Sequence, residues 1–209
     1  MDIFEAIRAR KSIRKYKPDP IPEEDIRTIV DMATRAPSAS NDQMWKFLAV
    51  TNRRALQEMK DAILRKLDTF MEWPEAEPYM GQLRAAKGYS TFFTEAPVTI
   101  VVLGEPYHSA VDDVLEKRGW DRPAIDALRQ KPDIQSVSAA IENLCLAATA
   151  MGYGTCWMSA PCIAGPEIKE LLGIESPWEV IALVPIGFAG GPPAHRPRKP
   201  LEEVLEFVR

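Results

Sequence analysis

Five cations and a hydroxyl crowd into Arg10-Lys11-Ser12-Ile13-Arg14-Lys15-Tyr16-Lys17. Arginine offers a planar fork of donors and lysine a point charge, and neither can accept, so the segment suits a phosphate or another oxyanion. On charge alone a solvated basic turn is the competing reading. Two other stretches weigh against it, Ala36-Pro37-Ser38-Ala39-Ser40-Asn41-Asp42-Gln43-Met44-Trp45 and Arg196-Pro197-Arg198-Lys199-Pro200, whose order of small, polar and basic residues suits neither a core nor a plain surface. Familiar catalytic patterns are missing. Gly152-Tyr153-Gly154 follows a helical pattern rather than a strand, and no Gly-Lys-Ser/Thr loop occurs. His108 and His195 are placed where no Ser/His/Asp arrangement is arguable. Cys145, Cys156 and Cys162 are too few and too unevenly spaced for a disulfide framework or a zinc site, so reduced thiols and no metal are expected.

These stretches need elements to hold them, and hydrophobic spacing supplies candidates. Residues 2–9 predict a helix capped by Asp2, with Ile3, Ala6 and Ile7 on its buried side. After Pro18 and Pro20, Pro22-Glu23-Glu24 opens a second helix whose Ile26, Ile29, Val30 and Ala33 face the core. Pro37 disfavours helical geometry at Ala36, so residues 38–43 form a loop. A strand is expected over 46–51 and a helix over 54–67. From 68 to 90 the pattern weakens, and the segment reads either as a mobile cover over a site or as a surface segment pinned by its aromatics. Residues 97–103 suit a central strand buried on both faces. Residues 107–132 are charged and irregular, with helical pieces near 111–115 and 124–128.

Residues 135–151 carry the strongest helical pattern, through Val137, Ile141, Leu144, Ala148 and Met151. Its many alanines allow another helix to approach closely, so it belongs at the centre, packed against its symmetry mate in a dimer. A short strand over 155–158, a helix over 166–172, a strand over 178–186, an extended Gly/Pro arm and an amphipathic turn over 201–208 complete the chain.

At 209 residues, 46% hydrophobic and 27% charged, the chain is expected to be one globular domain over 1–209. A net charge of -4 gives no global support for nucleic-acid or acidic-membrane binding, and with only Tyr16 among the cations a basic nucleic-acid or protein binding module is the weaker reading. The best apolar run, over 96–104, is far short of the ~20 residues a membrane span needs. The N-terminus lacks an apolar signal core, so a cytoplasmic location is expected.

In these separated segments the chain resembles the FMN-dependent nitroreductase family. Arg10-Lys11-Ser12-Ile13-Arg14 is similar to the family's opening phosphate motif, and Ala36 to Asn41 with Gln43 and Trp45 to its flavin-ring loop. Gln135-Ser136-Val137 through Gly154-Thr155-Cys156-Trp157 resembles its central helix and following turn, and Arg196 to Val204 its terminal basic motif. The resemblance implies an α+β fold with a central, mostly antiparallel sheet flanked by helices, in an intertwined homodimer. It implies bound FMN, transient NADH or NADPH, and a small electron-poor substrate such as a nitroaromatic or a quinone. Nicotinamide and substrate would take turns on one flavin face, because the chain has no separate dinucleotide fold. Family branches that dehalogenate, supply flavin or fragment flavin with oxygen are the alternative.

Residue by residue, the resemblance assigns Arg10 and Ser12 to phosphate or ribityl oxygens, Lys11 to contact nearby, and Arg14 to the flavin N1/O2 edge. A fixed cation there would stabilise the charge that gathers on reduction. Pro37, Ser38, Ala39, Ser40, Asn41 and Gln43 would meet the flavin of the neighbouring subunit, although Asn41 also reads as a turn residue tolerant of left-handed geometry. Trp157, Met158, Ser159 and Ala160 would lie under the ring, with the Ser159 amide donating to N5. Arg196 and Arg198 would complete the phosphate grip, and residues 187–209 would form an arm over the partner subunit. The chain departs from the family pattern at Met44, where a proline is common, at Ser159-Ala160, and in a middle segment that does not clearly supply a ring-edge Asn and Lys.

Overall fold

The computed structural model describes residues 1–193 and 197–209. Four strands, β1 (Trp45–Val50), β2 (Val98–Gly104), β3 (Gly154–Thr155) and β4 (Glu179–Gly187), form one sheet in the order β1-β2-β4-β3, with every pairing antiparallel. β2 lies inside the sheet between β1 and β4, with Leu48 opposite Val101 and Val101 opposite Leu183. Every residue of β2 is buried, as its continuous apolar run predicts.

The period of two along the strands divides the core into two layers. Val98, Ile100 and Val102 with Ala182, Val184 and Ile186 form one layer. Val101, Leu103 and Leu183 belong to the other.

Helix α1 (Ile3–Ala9) opens with a capping box: Asp2 accepts from the Glu5 amide at 2.8 Å and Glu5 accepts from the Asp2 amide at 2.9 Å. The expected burial of Ile3 and Ile7 is not seen, since they are 57% and 54% exposed and only Ala6 is buried. The small Ala6 side chain makes the close approach, and nothing else among the described residues covers the flanks. Helix α2 (Glu23–Ala33) buries Ile26, Ile29 and Ala33 as predicted. Helix α3 (Arg53–Met71), capped by Asn52, runs past the predicted end at Leu67.

The weakly patterned segment that follows is helical. A 3-10 stretch leads into α4 (Met80–Thr91), and Lys87 pairs with Asp68 to tie α4 back to α3. Its pattern is faint because α4 buries Ser90 and Thr91 rather than large apolar residues. The helical pieces expected near 111–115 and 124–128 are helices α5 (Ala110–Lys117) and α6 (Arg122–Arg129), each longer than its pattern indicates.

Helix α7 (Pro132–Ala150) starts three residues before the predicted Gln135, because proline is well placed in a first turn. Its Val137, Ala140, Ile141, Leu144 and Ala148 join α2 and the sheet in the first layer. Helix α8 (Gly165–Leu172) contributes Ile168 to the second layer, beside Leu56, Met59 and Ile63 of α3.

The strand expected over 155–158 is shorter: β3 ends at Thr155, and only Met158 rejoins the sheet, exchanging two 2.9 Å hydrogen bonds with Leu183. The amphipathic turn expected over 201–208 is reduced to a 3-10 turn at Leu201–Glu203, with Leu201, Val204, Leu205 and Phe207 all exposed. Those side chains have no apolar layer of their own chain to pack on, so the helical pattern has nothing to stabilise it. Among the described residues no helix is long and apolar enough to cross a membrane.

Candidate functional site

The basic stretch is laid against the short strand that follows α7. Ser12 pairs with Thr155 as a parallel bridge, and the Ile13 amide donates to the Thr155 carbonyl at 2.8 Å. Gly154 permits this approach, since a Cβ there would stand 2.5 Å from Ile13 Cγ1 and 2.9 Å from Ile13 Cβ. Farther along, the Lys17 amide donates to Phe188 and the Gly190 amide to Lys15, at 2.9 and 2.8 Å. Tyr16 pins the ribbon by donating to the Ile13 carbonyl at 2.7 Å, and its burial drives the phenol pKa far above the ordinary value.

The cations that result are largely uncommitted. Arg10 approaches Glu142 only to 3.7 Å, and Arg14 makes a long 3.4 Å bond to the Ser12 carbonyl. Lys11 and Arg14 are exposed and, among the described residues, have no carboxylate partner. Behind them Cys156 is buried; that burial raises its thiol pKa, opposed by Arg14, a hydrogen bond from Ser12 and Arg10. The Cys156 neighbourhood therefore joins the basic stretch to the turn after α7. Trp157 is exposed, Met158 is buried, and Ser159 and Ala160 are exposed at the head of a 3-10 turn. Among the described residues the Ser159 amide has no acceptor, while its carbonyl accepts from Cys162 at 3.0 Å.

The other predicted loop lies elsewhere. Ala39 donates to Ser136 Oγ in the first turns of α7 at 3.1 Å, and Ser40 Oγ stands 2.8 Å from the Tyr107 hydroxyl. Ser38 Oγ accepts from the Gln43 amide at 3.0 Å, while Pro37, Ser40, Asn41 and Gln43 are exposed. Ser136 and the C-terminal end of α7 are separated by about 21 Å of helix at 1.5 Å per residue. Within one chain, then, Ser12 and Ile13 of the basic stretch are joined to Thr155, just before the turn that carries Trp157, Met158, Ser159 and Ala160, whereas residues 37–43 are joined to Ser136 and Tyr107. Arg198 is exposed and touches neither group; Arg196 lies outside the described residues.

Two contributors are not singled out by the sequence reading. Ser136 lies inside a quoted motif without a role, and Tyr107 stands at the start of a stretch read as irregular. Outside these groups, His108, Asp113 and Glu116 bring ligand-type atoms within 4.8 Å of one another on the exposed side of α5. The His108 imidazole already has Asp113 as its partner at 3.1 Å.

The model of the nitroreductase family matches residues 7–188, which takes in the basic stretch, the left-handed loop and the turn after α7. The chain belongs to the nitroreductase family. One relative in that company is an NADH dehydrogenase of Thermus thermophilus, 29% identical over 226 aligned residues that cover 98% of this chain and 95% of that one. Among solved structures, a BluB-like flavoprotein from Clostridium difficile is 28% identical with a TM-score of 0.90 over the whole of both chains. An FMN-bound nitroreductase from Bacteroides fragilis, 24% identical with a TM-score of 0.72 over the whole of both chains, shares the fold of this nitroreductase-family chain.

Proposed function

We propose that this chain is an FMN-dependent NAD(P)H oxidoreductase that reduces small electron-poor substrates, with nitroaromatics and quinones as the class. The observation that carries the reading is a set of donors beside β3: Lys11 and Arg14, the Ser12 hydroxyl and the Ser159 amide, where among the described residues neither cation has a carboxylate partner and the amide has no acceptor. That donor set fits a phosphorylated, electron-accepting ring. Arg10, Lys11, Ser12 and Arg198, with Arg196, hold the phosphate end. Arg14 puts a fixed positive charge at the N1/O2 edge, Ser159 offers its amide to N5, and Trp157, Met158 and Ala160 form the floor. When bound, FMN relays two electrons as hydride from nicotinamide to acceptor. Nicotinamide and acceptor use the same open face in turn, in a ping-pong sequence.

Pro37, Ser38, Ala39, Ser40, Asn41 and Gln43 serve the ring of a second subunit. They are anchored on Ser136 and Tyr107 rather than on the basic stretch, which supports a site built by two chains. Exposed Ile3, Phe4 and Ile7 on α1, with Met32, offer apolar surface for that dimer. One FMN-binding domain spans 1–209, with a C-terminal arm over the partner. Ala189 and Gly190 are bound to Tyr16 and Lys15 of the same chain, so the arm that crosses starts after them.

The test is the absorbance spectrum of the purified protein, followed by initial rates with NADH and NADPH against nitro compounds and quinones. A colourless protein that takes up no added FMN would overturn the reading, and intersecting rather than parallel rate plots would overturn the shared face. A second reading rests on the TM-score of 0.90 to a flavoprotein, against 0.72 to a nitroreductase. On this reading the chain takes one of the alternative branches that the resemblance allows, supply or fragmentation of flavin. Consumption of reduced flavin in oxygen, with no turnover of nitro compounds, would favour it.

A further inference from the structure

The loop at 37–43 has a shape its residues do not favour, and the surrounding contacts reveal what holds it. Ser40, Asn41 and Gln43 have φ of 53°, 57° and 53°. Asparagine tolerates that left-handed region, but serine and glutamine enter it only when the surroundings impose it. Two hydroxyls from outside the loop do so. Ser136 Oγ accepts from Ala39, and is itself fixed by donating to the Pro132 carbonyl at 2.7 Å. The Tyr107 hydroxyl meets Ser40 Oγ at 2.8 Å.

Tyr107 is buried and held from behind. Arg122 donates to its carbonyl at 2.9 Å, and the Arg129 guanidinium lies 5.6 Å from its ring centre. Both arginines share Asp112, which is 1% exposed: Arg129 at 3.2 Å and Arg122 at 3.9 Å. Arg129 also donates to Ser109 at 2.8 Å, and Arg122 pairs with Asp126 at 2.7 Å. Asp112 is the buried centre of this cluster and its arginines are partly exposed; an ionic group of this kind adds little net stability over an apolar replacement, so its use lies in fixing geometry. Among the described residues, the side-chain hydrogen bond that leads out of it runs through Tyr107 to Ser40.

We infer that Tyr107 is a positioning residue which, clamped by Asp112, Arg122 and Arg129, fixes Ser40 so that residues 38–41 present a preset backbone to the flavin ring. The inference rests on the reading of residues 37–43 as a flavin-ring loop. It also gives α5 and α6 a task, as the rigid mount for that loop. Because the action is on the ring side, it differs from that of the phosphate cations: FMN and riboflavin should respond alike.

The experiment is a double-mutant cycle of Tyr107→Phe and Ser40→Ala, read as FMN and riboflavin affinity by fluorescence quenching, with visible circular dichroism of the bound flavin. Tyr107→Phe keeps the ring and its Arg129 contact and removes only the hydroxyl. Each single variant should bind both flavins about three- to tenfold more weakly, the loss expected for one neutral hydrogen bond. The double variant should be no weaker than either single one, because the two changes break the same bond. Melting of the flavin-free protein should hardly move, and Asp112→Asn should shift the flavin dichroism in the same sense as Tyr107→Phe. Should Tyr107→Phe fail to fold, Ser40→Ala reports the same bond from its other end. Additive losses, unchanged affinity, or a loss confined to FMN would overturn the role of Tyr107. A wild-type protein that binds no flavin defeats the functional reading first, whereas a yellow wild type with additive variants defeats this inference alone.

Discussion

In the proposed site Arg198 and Arg14 bring the same guanidinium to different ends of FMN, so their losses should read differently. Arg198→Ala removes a charge-assisted contact to the phosphate, at about 1.5 to 3 kcal/mol, and FMN should bind roughly 10- to 150-fold more weakly. Riboflavin affinity should stay nearly constant, and equal losses for the two flavins would remove Arg198 from the phosphate site. Arg14→Ala should instead lower the flavin potential and slow its reduction by NAD(P)H. The Arg14 side chain is exposed, so water screens its charge and the slowing should be about tenfold or less. Stopped-flow reduction with a potential titration measures both, and an unchanged potential would end the assignment.

At the scale of elements, the approach of the basic ribbon to β3 depends on a missing side chain. Gly154→Ala would drive a methyl into the buried, β-branched Ile13, which cannot swing aside, so the ribbon must shift. The cost should be about 1 to 3 kcal/mol in urea unfolding, with weaker FMN binding in the same variant. Normal affinity would mean that the ribbon's position does not set the site.

The α5–α6 mount carries its own pH signature. Burial alone would raise the Asp112 pKa, but the Ser109 hydrogen bond and the charges of Arg129 and Arg122 together hold it below the usual carboxylate range. A folded pKa below the unfolded one contributes stability above the unfolded value, and that contribution is lost as pH falls through the folded one. Wild-type stability should therefore fall on acidification below about pH 4, the ordinary aspartate range, and Asp112→Asn should flatten that limb. Parallel acid limbs in the two proteins would contradict it.

For the whole molecule, the apolar flank of α1 and the exposed Leu201, Val204, Leu205 and Phe207 need a partner surface. The obligate dimer proposed above would supply it. Sedimentation at micromolar concentration should find no FMN-loaded monomer, and removal of residues 192–209 should yield a protein that dimerises poorly and loses flavin on dilution. A truncated protein that stays dimeric and yellow would put the arm outside the site.

The sequence by itself determined the pieces. The apolar run of β2, the periodicity of α2, α3 and α7, the capping box at Asp2 and the prolines that end elements are local, and local physics decides them. The motifs were equally legible as residue types, a run of cations at 10–17 and a run of small residues at 36–41, because composition is local wherever the chain places it. Tertiary structure decided what the pieces face. Whether Ile3 and Ile7 are buried depends on a neighbouring surface, which no helical period can specify. The separate anchors of the motifs, Thr155 for the basic ribbon and Ser136 for the loop, were likewise hidden, because spacing along a chain does not measure distance across a fold. Tyr107 carries no local signal: its role comes from Ser40, 67 residues away in sequence, and from a buried cluster that only packing assembles.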